Sequence, residues 1–142
     1  PVYLEGAVIT YRIVRNRAMG ITGEGAVAAR ERDRLEAEPA YGNIAELGLG
    51  VLADFGIAPC GSILLDEKLG LHLAFGRSDH FGGQIGPGDF STPSAVVHID
   101  RVYLPSLQPG VEVLSLDLIS SQSEKLRIME RGSYTIDWED PA

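Results

Sequence analysis

An α+β fold, a mostly antiparallel β-rich domain (barrel-like or a curved sheet) with one or two short helices, follows from three features of the chain. Residues 94–104 and 111–119 alternate side chains with the period of a strand. Glycine stands at 17 of 142 positions and helix-favouring runs are few. Residues 25–38 are the clearest of those runs, which leaves room for a helix beside the strands rather than a bundle.

Each element has its own signal. Val8, Ile9, Tyr11, Ile13 and Val14 are β-formers, and Arg15-Asn16-Arg17 is a polar reversal before a strand ending at Ile21 to Gly23, so residues 2–24 read as a hairpin. Residues 25–38 are helical, with a thin apolar face that predicts a surface position, and Pro39 stops them. Residues 44–51 are short, apolar and glycine-rich, with Glu46 interrupting. Residues 56–61 are loop, 63–69 a short helix or strand, and 70–75 a strand containing His72. Residues 76–93 hold five glycines and two prolines, an irregular segment of the kind that carries function. Residues 124–130 and 133–138 form a terminal hairpin around Arg131-Gly132.

The length fits one domain, 1–142, able to bury about two-thirds of its unfolded surface. Twelve Lys and Arg stand against 20 Asp and Glu, a formal charge of -8. That balance argues against nucleic acid and anionic membranes as partners, because phosphates would repel it. The single cysteine, Cys60, excludes an internal disulfide framework and fits a reducing cytoplasm. No run approaches 18 apolar residues and no signal peptide is visible.

The strongest chemical signal is His98-Ile99-Asp100. On a strand, positions i and i+2 project to one side, so an imidazole and a carboxylate are offered together to a divalent cation or to each other. His72 lies in an apolar strand and needs a partner, either a backbone carbonyl or a metal; two histidines and an aspartate match a facial triad. Glu46, among small and apolar neighbours, has to be protonated, paired, bound to a cation or turned to solvent from an edge strand. Asp66 and Glu67 read as a helix-end acidic pair beside Lys68. His80 sits in the glycine-rich loop as a mobile ligand, a proton shuttle or a solvated side chain. Gly82-Gly83 makes a tight turn or a close approach to a ligand, without the Gly-Lys-Ser/Thr of a phosphate loop.

Three segments together resemble the aminopeptidase T-like (thermophilic metalloprotease) family: Asn43 to Gly50 (NIAELGLG), Ile63 to Gly76 (ILLDEKLGLHLAFG), and Phe81-Gly82-Gly83 followed by Ser94 and His98-Ile99-Asp100. The resemblance spans roughly residues 40–104. It implies the metal-binding C-terminal domain of a dimetal aminopeptidase, whose N-terminal α/β domain lies outside this sequence. It implies Glu46, His72, His98 and Asp100 as ligands of divalent ions (Zn, Co, Mn or Fe, two if hydrolytic), with Glu46 a bridging ligand or the catalytic base. Glu67 belongs to the motif. The family's first ligand glutamate has no match here, and Glu5 is the substitute the sequence offers. The family's tyrosine after the His72 counterpart is also missing, and Asp79 or His80 stands in that stretch. The implied function is removal of N-terminal residues by metal-activated water. The expected partners are a peptide or small-molecule substrate and a second copy of the chain in a homodimer.

Two other readings use the same residues. Ring-cleaving dioxygenases of pyridine diols, similar to this family, bind one Fe(II) through the counterparts of His72, His98 and Asp100. A non-catalytic β domain would keep the site for structure or dimerisation. Convergence or dispersal of the four ligands separates the metal readings from none at all.

Overall fold

The computed structural model describes residues 1–136. It has the β-rich α+β architecture: three antiparallel sheets of three strands, each sheet ordered along the chain. The first contains β1 (Val2–Leu4), β2 (Ala7–Val14) and β3 (Arg17–Thr22). The β2–β3 reversal falls at Arg15 and Asn16, both at positive φ, as primed hairpin turns require. The expected hairpin is a three-stranded meander, because Glu5-Gly6 makes a second turn.

Helix α1 (Gly25–Ala37) ends before Pro39, as its composition predicts. Its inner face is less superficial than the sequence suggests. Ala28 is fully buried and Glu31 is 3% exposed. A buried carboxylate needs hydrogen bonds, and Glu31 receives two: its Oε2 accepts from the Tyr11 hydroxyl at 2.7 Å and from the Tyr41 hydroxyl at 2.6 Å. The Arg34 guanidinium lies 4.0 Å above the Tyr41 ring.

The central sheet contains β4 (Ile44–Leu49), β5 (Leu71–Gly76) and β6 (His98–Val102). Between β4 and β5, residues 63–69 are helical: α2 (Ile63–Asp66), then a 3-10 turn at Glu67–Leu69. Strand β6 is shorter than the alternation of 94–104 predicts. Pro93 opens a 3-10 turn over Pro93–Ala95, which leaves Ser94 and Val96 outside the ladder. The third sheet contains β7 (Ser115–Ile119), β8 (Lys125–Glu130) and β9 (Ser133–Tyr134). Residues 111–114 precede the β7 ladder; the Val113 and Leu114 carbonyls accept from Gly132 and Arg131 of the β8–β9 turn. The end of the expected strand 133–138 lies outside the described residues. Among the described residues, no helix is long and apolar enough to cross a membrane.

The central sheet is two-faced. Phe75 packs with Val2, Ile9, Tyr11, Ala28 and Tyr41, and Ile44 and Ile99 lean on the same cluster. Leu71 packs with Ile128 and Met129 of the third sheet, and Tyr103 touches both clusters. One extra residue sets the opposite face. Ile44 pairs with Phe75, but Glu46 pairs with Ala74, so two steps along β4 match one along β5. Without that bulge, Ile44 and Glu46 would share a face. With it, Ile44 faces the core beside Phe75, and Glu46 turns to the other face beside Ala74.

The Glu31 network gives a test of the packing. Burial first, then hydrogen bonding to Tyr41 and Glu31 for Tyr11 and to Glu31 for Tyr41, holds both hydroxyls above the ordinary tyrosine value of 10.0. A group whose folded pKa is raised contributes stability below its unfolded pKa and loses it as pH rises. Tyr41→Phe is expected to lower the unfolding free energy by about 1–3 kcal/mol in urea at neutral pH. The double change Tyr11→Phe, Tyr41→Phe is expected to flatten the fall in stability above pH ~10. A midpoint and an alkaline slope equal to those of the parent chain would refute the account.

Candidate metal centre

The face of the central sheet turned away from the core carries the polar residues the sequence singles out. The ladder aligns them: Glu46, Ala74 and Asp100 lie in one cross-strand row, Gly48, His72 and Val102 in the next, and Gly76 pairs with His98. His72 and Asp100 are buried; Glu46 and His98 are half-buried. The small Ala74, fully buried between Glu46 and Asp100, leaves the space above the row to the carboxylates.

Both imidazoles are fixed from behind. His72 Nδ1 lies 3.2 Å from the Gly70 carbonyl, and His98 Nδ1 lies 2.8 Å from the Arg77 carbonyl. A carbonyl only accepts, so both Nδ1 atoms carry the proton and donate it. That leaves each Nε2 facing a carboxylate. His72 Nε2 is 3.3 Å from Glu46 Oε1, and His98 Nε2 is 3.3 Å from Glu46 Oε2. Asp100 Oδ1 is 3.6 Å from His98 Nε2 and, among the described residues, is a buried oxygen without a hydrogen-bond partner. In a neutral ring this sets lone pair against lone pair. A proton on Nε2 or a cation between the groups removes the conflict.

Glu67 enters the same cluster. It follows α2 in the 3-10 turn, its side chain is 14% exposed, and Lys68 pairs with it. Two sets of ligand atoms, each mutually within 4.8 Å, result: Glu46, His98 and Asp100, and Glu67, His72 and Asp100. Asp100 belongs to both, while Glu46 spans the two imidazoles. Burial, with Glu67 and Glu46 adding to it and the histidines opposing, pushes the Asp100 carboxyl above its ordinary range. Such a surplus of acceptors, with anchored imidazoles, fits one or two divalent ions.

The remaining candidates divide. Glu5 lies at the β1–β2 turn, held by Arg30 through contacts of 3.0 and 2.7 Å, and belongs to neither ligand set; its role as a substitute ligand is not supported. Asp66 pins the preceding loop, accepting from the Cys60 and Gly61 N–H groups. Asp79 is turned toward Arg77, which holds its carboxyl below the ordinary range. His80 stands edge-on to the His98 ring at 4.8 Å, outside both ligand sets. Cys60 is exposed.

Gly48 is the residue the sequence reading passed over. A Cβ there would lie 2.0 Å from Cε1 and Nε2 of His72, so the imidazole rests directly on the β4 backbone. The alternating glycines of IAELGLG are the signal that could have pointed to it.

Comparison with protein-family models, curated proteins and solved structures finds no match. The centre is therefore interpreted on its own chemistry.

Gly48→Ala is expected to keep the strand pairing by circular dichroism, because the obstructing atoms belong to the His72 ring and not to the backbone. It should weaken Zn²⁺ binding about 10- to 100-fold in calorimetric titration, since the ring must leave its carbonyl anchor and withdraw Nε2 from Glu46. Unchanged affinity would remove His72 from the ligand set.

Proposed function

We propose that this chain is the metal-binding part of a metal-dependent hydrolase, resembling the aminopeptidase T-like enzymes, which acts on peptides by metal-activated water. The observation that carries the reading is the meeting of Glu46, His72, His98, Asp100 and Glu67 on one sheet face, with each Nε2 3.3 Å from a carboxylate oxygen of Glu46. When bound, paired divalent ions supply a water of lowered pKa and a Lewis acid for the scissile carbonyl.

The chain's own residues do the rest. His72 and His98 offer Nε2, and their Nδ1–H bonds to Gly70 and Arg77 keep the rings from rotating. Asp100, common to both ligand sets, and Glu67 would supply negative charge to balance bound cations. Glu46 is the half-buried carboxylate that reaches both imidazoles. It would help hold the ions or, with one Oε left free, would accept a proton from the attacking water and return it to the leaving amine.

The facial set His72, His98 and Asp100 alone would suit a single iron and oxygen chemistry. Glu46 and Glu67 beside it favour the hydrolytic reading, because a mononuclear triad keeps its remaining positions for water or substrate.

Metal content of the purified protein and hydrolysis of aminoacyl-anilides test the proposal, with His98→Ala as the control. About two divalent ions per chain are expected, with activity falling by about 10²-fold or more in the variant. One iron per chain without hydrolysis would favour the dioxygenase reading. A metal-free protein, or equal activity in His98→Ala, would overturn the assignment.

A further inference from the structure

The loop that follows β5 builds a wall beside the candidate metal centre, and its ring at Phe81 belongs to neither ligand set. Phe81 is 62% exposed, and its ring lies 4.3 Å from the His80 ring and 5.8 Å from that of His98. Leaving so large an apolar surface in water is unfavourable, at about 25 cal/mol per Å². The backbone imposes that position. Ser78 and Asp79 N–H groups both bond to the Ile85 carbonyl, and Phe81 and Gly83 N–H groups both bond to the Ser78 carbonyl. Gly82 takes a left-handed φ of 83°, and a Cβ on Gly83 would lie 2.3 Å from Ser78 Oγ. Asn43 Nδ2, next to β4, also reaches Ser78 Oγ at 3.3 Å, and Arg77, which anchors His98, begins the loop. The turn is therefore tied to the strands that hold the centre, and it presents one aromatic face at the edge of that centre.

We infer that Phe81, backed by His80, is a specificity-determining residue that stacks on an aromatic or large apolar side chain flanking the scissile bond. The inference rests on the hydrolase reading, since it places a substrate at the ligands. Aromatic pairs gain about 0.5–1.5 kcal/mol beyond area burial, which corresponds to roughly two- to tenfold in affinity. Phe81 coordinates nothing, so its removal should leave the metal in place.

The test compares Phe81→Ala with the parent chain, both loaded with Zn²⁺, using phenylalanine hydroxamate and alanine hydroxamate as calorimetric probes. Phe81→Ala is expected to weaken the phenylalanine probe about two- to tenfold while leaving the alanine probe and the bound Zn²⁺ unchanged. On phenylalanyl- and alanyl-anilides, the same variant should raise KM for the first alone, with kcat retained. Equal loss for both probes, or no loss for either, would overturn the inference and leave the metal centre standing. Binding of Zn²⁺ without either probe would also overturn it. Failure of the parent chain to bind Zn²⁺ would overturn this inference and the hydrolase reading together.

Discussion

One extra residue in β4 governs the molecule. The bulge between Ile44 and Glu46 lets consecutive parts of a single edge strand serve opposite faces of the central sheet. Ile44 joins the aromatic core around Phe75, where Tyr11 and Tyr41 stack at 4.9 and 6.0 Å. Glu46, two positions on, joins His72, His98 and Asp100. The hydrophobic driving force on one face thus fixes the register, and the register fixes which carboxylate meets which imidazole. A centre built this way inherits its precision from the core behind it.

The centre gathers more carboxylates than the fixed cations beside it. Two histidines donate Nδ1–H to carbonyls, and their remaining nitrogens point at carboxylate oxygens, so each Nε2 needs either a proton or a cation between it and the carboxylate. Lys68 answers Glu67, but Asp100 Oδ1 is left without a donor among the described residues. The Glu31 cluster offers the contrast. There a buried carboxylate meets two hydroxyl donors and is satisfied within the protein. Similar burial with different partners separates a carboxylate satisfied within the protein from one that could hold a cation.

Much of this was legible in the sequence, for reasons tied to particular residues. His98 and Asp100 are separated by two on a strand, and strand period alone puts them on one side. His72 and Glu46 were visible as polar residues among apolar neighbours, where burial demands a partner. Glu67 was harder, because its direction depends on whether 63–69 is helix or strand, and the pattern there is ambiguous. The bulge left no mark in composition, so the sequence could suggest that Glu46 matters but not why it faces the histidines. The thin apolar face of 25–38 predicts a surface helix, and the burial of Glu31 escapes that pattern because its partners lie 20 and 10 residues away. Glu5 is the substitute that the missing first glutamate of the resemblance calls for, and its pairing with Arg30 across 25 residues is invisible in the sequence.

That a cation, and not a proton, joins each Nε2 to its carboxylate is the central claim, and nitrogen-15 NMR of the imidazole rings tests it most directly. At neutral pH, with Zn²⁺ added, His72 and His98 should both show protonated Nδ1, and their Nε2 resonances should move to metal-bound values together. Rings that are protonated at Nε2 and unaffected by Zn²⁺ would contradict the account.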